Sequence, residues 1–148
     1  MSQPVSLNEL DGAYRRTSSR IYRILEDGYD FAVDSLIIDT LDRDALVIDA
    51  AFFLLIFGQI ESRMNAIAAT HLTSDAEREA LRQRRFEQRL TLALPGPANS
   101  GLRQDIADWS SLRNDAAHGR ELTGGYAIRA ILEHAYLLES LLIARLAR

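Results

Sequence analysis

An arginine, an asparagine and a histidine fall within six positions of RNDAAHG, residues 113–119. Arg113 would supply a permanent cation whose fork of donors suits phosphate or carboxylate. His118 is the residue type that passes protons near neutral pH. Asn114 adds an amide that both donates and accepts. The spacing alone carries little weight. With 17 arginines, no lysine and three histidines, an arginine four to six places before a histidine is expected roughly once by accident. The chain supplies a duplicate: Arg129 and His134, in RAILEH, have the same offset.

Context separates the two pairs. Arg129 and His134 lie inside the last expected helix, where the histidine needs no special role. RNDAAHG lies at a helix end, closed by Gly119 and followed by a polar connection. On an unbroken helix an offset of five residues leaves two side chains about 140° apart, whereas Asn114 and His118 share a face. A long arginine side chain, or unwinding of the last turn at Gly119, would bring all three together. A purely structural reading stands beside this one. It has Arg113 paired with Asp108 or Asp115, and His118 ending the helix on a favourable dipole. Glu61, on the same side of its helix as Phe57 and Met64, is either a partner for a motif arginine or an ordinary surface carboxylate. Trp109 reads as core, with stacking on a base as the alternative.

The elements that must position these residues all read at helical period, with no alternation of period two. A first helix is expected from about Leu7 to Asp27, opened by the capping-box pair Ser6 and Glu9 and ended at Gly28. Asp30–Asp42 is expected to be a loop with a short helical turn. A second helix, about Arg43–His71, carries Leu46, Ala50, Phe53, Leu54, Phe57, Ile60, Met64 and Ile67 at steps of three and four. Phe52, Leu55 and Ile56 make its middle apolar on more than one face. Such a helix is central to a bundle or buried in an oligomer. Ser74 and Glu77 start a third helix, about Asp75–Ala93. PGPANSG, residues 95–101, breaks it. A fourth helix follows over about Gly101–Ala117, with Leu102, Ile106, Trp109 and Leu112 inward. After GRELTGG a last helix fills about Tyr126–Ala147. The expected fold is all-α: an antiparallel bundle of four long helices plus a short extra helix, in one domain over residues 1–148.

Composition narrows the function classes. Apolar residues make up 47% and charged residues 26% of the 148, the balance of a folded globular chain. Cysteine is absent and the three histidines are scattered, so neither a thiolate nor a zinc motif is spelled, and no metal or cofactor is expected. A formal charge of −4 argues against bulk attraction to nucleic acid, so any RNA contact needs a local basic patch. The apolar run AAFFLLIF, residues 50–57, is too short for a bilayer, which takes about 20 residues. With no leader pattern at the start, a cytoplasmic protein without membrane contact is expected.

One such basic patch is suggested by EREALRQRRFEQR, residues 77–89. Arg78, Arg82, Arg85 and Arg89 recur at steps of four, three and four, a single stripe on one continuous helix. Like charges at that spacing repel slightly, so the stripe wants RNA phosphate, acidic groups elsewhere, or solvent with Glu79 and Glu87 as balance.

LRNDAAHG, residues 112–119, resembles the signature of the HEPN families, all-α domains of about this size. Their motif is an arginine, a polar residue often asparagine, a few small or apolar residues, then histidine, late in the domain and before the final helix. FGQIES, residues 57–62, resembles their long second helix, less specifically. The resemblance implies a homodimer whose two motifs meet across the interface, acting as a metal-independent endoribonuclease in toxicity or phage defence. It assigns His118 as acid/base, Arg113 as the phosphate-binding cation and Asn114 as the residue orienting either. RNA is then the substrate, and an antitoxin protein a possible partner. A subset of these proteins carries a regulatory tyrosine two places after the histidine. Arg120 stands there instead, which puts silencing by adenylylation in doubt. Arg120 either adds a second cation or caps exposed carbonyls. The alternatives are a catalytically silent HEPN-like module binding a partner protein, RNA or a nucleotide, and a plain helical assembly protein.

Overall fold

The computed structural model describes residues 5–26, 31–118 and 126–148, with the side chains at 22, 24–26 and 31–41 left aside. Among these residues the protein is all-α and has no strand. Its helices are α1 (Leu7–Glu26), α2 (Phe31–Thr70), α3 (Asp75–Ala80), α4 (Phe86–Ala93), α5 (Ser100–Ala117) and α6 (Ile128–Leu146). Short 3-10 turns cover Leu81–Gln83 and Pro97–Asn99.

α1 starts where its capping residues require. The Glu9 amide donates to Ser6 Oγ at 3.2 Å, and the Ser6 amide donates to the Glu9 carboxylate at 2.7 Å. The Ser6 amide, and then the Ser6 hydroxyl, which donates to the same carboxylate at 2.8 Å, hold the Glu9 carboxyl below its ordinary range. The expected stop at Gly28 lies outside the described residues.

α2 is longer than its sequence suggested. The segment expected as a loop, 31–42, is helical and continuous with the rest. The physical reason is the lack of a breaker: from Phe31 to Thr70 there is no proline and one glycine, Gly58. Its inner stripe is the centre of the core. Phe53, Ile56, Phe57, Ile60, Met64 and Ile67 are buried, each contributing on the order of 2 kcal/mol of hydrophobic stabilisation. Leu46 and Leu54 are only half-buried, and Leu55 is 55% exposed. Asp42–Thr70 is long and apolar enough to cross a bilayer by length and composition, with a mean hydropathy of 1.7, a test that core helices also pass.

Side-chain contacts fix directions around α2. Tyr14 donates to Asp49 at 2.9 Å, while Gln59 reaches the Val5 carbonyl at 3.0 Å, so α1 runs opposite to α2. Burial pushes the Asp49 carboxyl up, against the opposing effect of the Tyr14 hydroxyl. Residue numbers rise together along α2 and α6, so these two helices are parallel, unlike neighbours in the antiparallel bundle expected from sequence. Tyr126 packs on Phe53 with ring centroids 5.2 Å apart, Arg63 pairs with Glu139 at 3.0 Å, and Arg145 donates to Thr70 at 2.6 Å. α2 also packs against α4 and α5.

The expected third helix is broken. α3 ends at Ala80, a 3-10 turn follows, and Arg84 and Arg85 are extended, with ψ of 149° and 151°. Phase explains the break. Leu81 and Leu90 are buried and Phe86 half-buried, but five residues separate Leu81 from Phe86. On one continuous helix the two would point about 140° apart. Resetting the chain at Arg84 and Arg85 lets both turn towards the core. The Gln88 side chain then caps the Arg85 amide at 3.2 Å. Ser74 and Glu77 do form the expected capping box at the start of α3. Beyond α4, Gly96 takes a positive φ of 87°, which a side chain would strain. Arg103 of α5 then fastens the Leu94 and Gly96 carbonyls.

Candidate functional site

α5 stays wound to its end. The His118 amide donates to the Asn114 carbonyl at 3.1 Å, and His118 is the C-cap residue with φ −90° and ψ 10°. Among the described residues, which here end at His118, no unwinding gathers the motif within one chain. Asn114 and His118 are exposed on one face. Arg113 turns the other way, onto α2. Its guanidinium lies 5.5 Å from the centre of the Phe57 ring and 3.7 Å from the Glu61 carboxylate. Glu61 thus takes the place of the Asp108 or Asp115 partner considered from sequence. Asp108 instead accepts from Gln104 at 2.9 Å. Among the described residues no hydrogen bond or ion pair joins Arg113 to His118.

Glu61 is shared. Its other oxygen accepts from Arg89 Nη2 at 3.1 Å, and Arg89 Nη1 donates to Asn65 Oδ1 at 2.8 Å. Arg89 also lies 5.7 Å from the centre of the Phe86 ring, and Phe86 packs against Phe57 with centroids 6.0 Å apart. The result is one carboxylate between two guanidiniums, each over an aromatic ring. Three elements supply it: α2 with Phe57, Glu61 and Asn65; α4 with Phe86 and Arg89; and α5 with Arg113. Arg89 and Arg113 are 14% and 33% exposed, and the Nε of each is buried without a partner among the described residues. Asn65 and Phe86 had not been singled out from sequence. The available signal was the i, i+4, i+8 series Phe57, Glu61, Asn65, which lines one face of α2.

The other basic residues do not form the expected stripe. The break at Arg84 and Arg85 distributes the four arginines over separate pieces. Arg78 pairs with Asp75 at 2.9 Å and donates to the Leu72 carbonyl. Arg82 sits in the 3-10 turn and Arg85 precedes α4, both exposed. Only Arg89 of the four reaches the cluster around Glu61. Arg120 and Gly119 lie outside the described residues. Among the described residues no group of acidic, histidine or cysteine side chains is arranged to hold a metal.

The duplicate pair has a different environment. Arg129 is exposed. His134 faces inward, with Nδ1 2.8 Å from the Ala130 carbonyl and Nε2 3.2 Å from Asp105. Trp109 meets its ring edge-on at 4.6 Å between centroids. Trp109 is half-buried in this contact, in keeping with a packing role.

Compared with known proteins, the chain matches no family model, no curated protein and no solved structure.

Proposed function

We propose that the protein is a metal-independent endoribonuclease of HEPN type, working in the cytoplasm as a homodimer in a toxin or defence role. The observation that carries this reading is the division of RNDAAHG at the end of α5. Arg113 is tied to α2, whereas Asn114 and His118 face solvent. An exposed imidazole suits proton transfer to or from a ribose hydroxyl, and a fixed guanidinium suits the charge that builds on phosphate.

Arg113 and His118 diverge on a wound helix, so one protomer's motif does not close on a single phosphate by itself. A second copy that brings its own motif alongside supplies the missing direction. It also supplies a second histidine, so that one accepts the 2′-hydroxyl proton and the other donates to the leaving oxygen. Val47, Ala51, Leu55 and Gly58 leave an exposed apolar strip along α2, which favours self-association.

The test is cleavage of total RNA in EDTA by wild type beside Arg113→Ala and His118→Ala. Wild type is expected to cut, and both variants to fail while remaining folded. Undiminished cleavage by His118→Ala would falsify the mechanism. RNA binding without cleavage by wild type would replace it with a silent binding module. A protein that stays monomeric while cutting would remove the composite site.

A further inference from the structure

The cluster around Glu61 poses a charge problem. Two guanidiniums share one carboxylate in half-buried surroundings, so among the described residues a positive charge is left over. Desolvated charge of that kind calls for an anion. At the same time Glu61 is badly placed for a site that merely collects phosphate, because a carboxylate beside a phosphate repels it. A residue that opposes the ligand electrostatically must repay that cost another way. Geometry is the available way. Arg89 and Asn65 fix one another on α4 and α2, Arg89 holds one oxygen of Glu61, and the other oxygen faces Arg113 at 3.7 Å. Phe57 supports the Arg113 guanidinium from one side.

We propose that Glu61 and Arg89 are positioning residues, which hold the Arg113 guanidinium in one orientation so that its remaining donors meet an RNA phosphate. The inference rests on the endoribonuclease reading above. It makes Arg89 a participant through Glu61, since Arg89 itself is largely covered.

The sign of one substitution decides it. Glu61→Gln removes a negative charge from an anion site at nearly constant shape. If Glu61 only repelled phosphate, the variant would bind RNA more tightly. If Glu61 positions Arg113, binding weakens in spite of the more favourable charge. The probe is a 2′-O-methyl oligoribonucleotide, which cannot be cut through its own 2′-oxygen, followed by fluorescence anisotropy across a salt series. Glu61→Gln is expected to weaken binding about tenfold, the size of one charge-assisted contact. Arg89→Lys, which keeps the charge but loses the fork, is expected to weaken it similarly. Arg103→Gln, whose side chain donates to the Leu94 and Gly96 carbonyls and makes no hydrogen bond or ion pair with the Glu61 cluster among the described residues, controls for general loosening and should leave affinity unchanged once folding is checked by circular dichroism.

Tighter or unchanged binding by Glu61→Gln overturns the proposal, as does wild-type affinity in Arg89→Lys. An equal loss in Arg103→Gln also overturns it, since the effect would then be general. If Arg113→Ala binds the oligonucleotide as well as wild type does, the endoribonuclease reading falls together with this one. If Arg113→Ala weakens binding and Glu61→Gln does not, only the positioning role falls.

Discussion

At Arg113 the arginine turns inward against Glu61 and Phe57, and the histidine five residues later is exposed. At Arg129 the arginine is exposed, and the histidine five residues later turns inward onto Trp109 and Asp105. The same offset thus has two opposite outcomes. An offset of five on a helix places two side chains about 140° apart, so when one faces the core the other tends to face water. Which of them is buried depends on the phase of the host helix. α6 buries Ile131, Leu132, Ala135 and Leu138, which carries His134 towards α5 and leaves Arg129 outside. In α5 the half-buried Trp109, Leu112 and Arg113 follow buried Ile106, and at the helix end Asn114, Ala117 and His118 are exposed while Asp115 and Ala116 stay half-buried. A histidine whose two ring nitrogens lie against the Ala130 carbonyl and Asp105, with a tryptophan edge beside it, is held in packing. A histidine at a helix end, with its side chain in water, is available for chemistry.

The sharpest way to break this contrast is activity. His118→Ala is expected to lower RNA cleavage by about 10²–10⁴-fold, the range of a lost acid/base group, while His134→Ala, assayed where it is folded, stays within about threefold of wild type. Equal losses at the two histidines in initial-rate assays would erase the distinction. The arginines should divide in the same way. Arg113→Ala is expected to cost about 10²–10³-fold, as for the loss of a transition-state donor, and Arg129→Ala almost nothing.

Stability should reverse the order. His134→Ala forfeits two polar contacts and the Trp109 edge, and is expected to cost about 1–2 kcal/mol in urea unfolding. His118→Ala should stay within about 0.5 kcal/mol. The smallest effect concerns the third histidine. Burial, and then the nearby Arg145 charge, hold the His71 imidazole below its ordinary value of 6.5. Below that pH the unfolded chain therefore binds more protons than the folded one, so stability is full above about 6.5 and declines as pH falls. Thermal melts from pH 7.5 to 5.5 should accordingly fall more steeply for wild type than for His71→Gln. Parallel slopes would remove His71 from that dependence.

Local rules made much of the fold legible. Ser6 with Glu9 and Ser74 with Glu77 form the capping boxes that their spacing suggests, and the stripe from Ala50 to Ile67, with Leu54 only half-buried, lies at the centre of the core. Two places escaped. Asp30–Asp42 reads ambiguously, with a loop and a short helical turn expected, yet nothing in its described part, 31–42, forbids a helix. The reset at Arg84 and Arg85 turns both Leu81 and Phe86 towards the core; their offset of five is visible in the chain, but that both must face inward shows only in the packing. The same reset hid the link between Arg89 and Glu61, because 28 positions separate them and only tertiary packing brings them together. Arg113 and His118 could be picked out by type, but the direction each faces could not be read until the phase of α5 was known.

α3 has no buried residue, whereas the middle of α2 is covered by α1, α4, α5 and α6. Backbone amides in the two helices should therefore trade hydrogen with solvent on very different clocks. Those of α3 need only a local fluctuation to open, while those from Phe53 to Ile67 wait for the whole molecule to come apart. Because Phe57 and Glu61 lie in that slow segment, the floor beneath Arg113 belongs to the last part of the protein to yield.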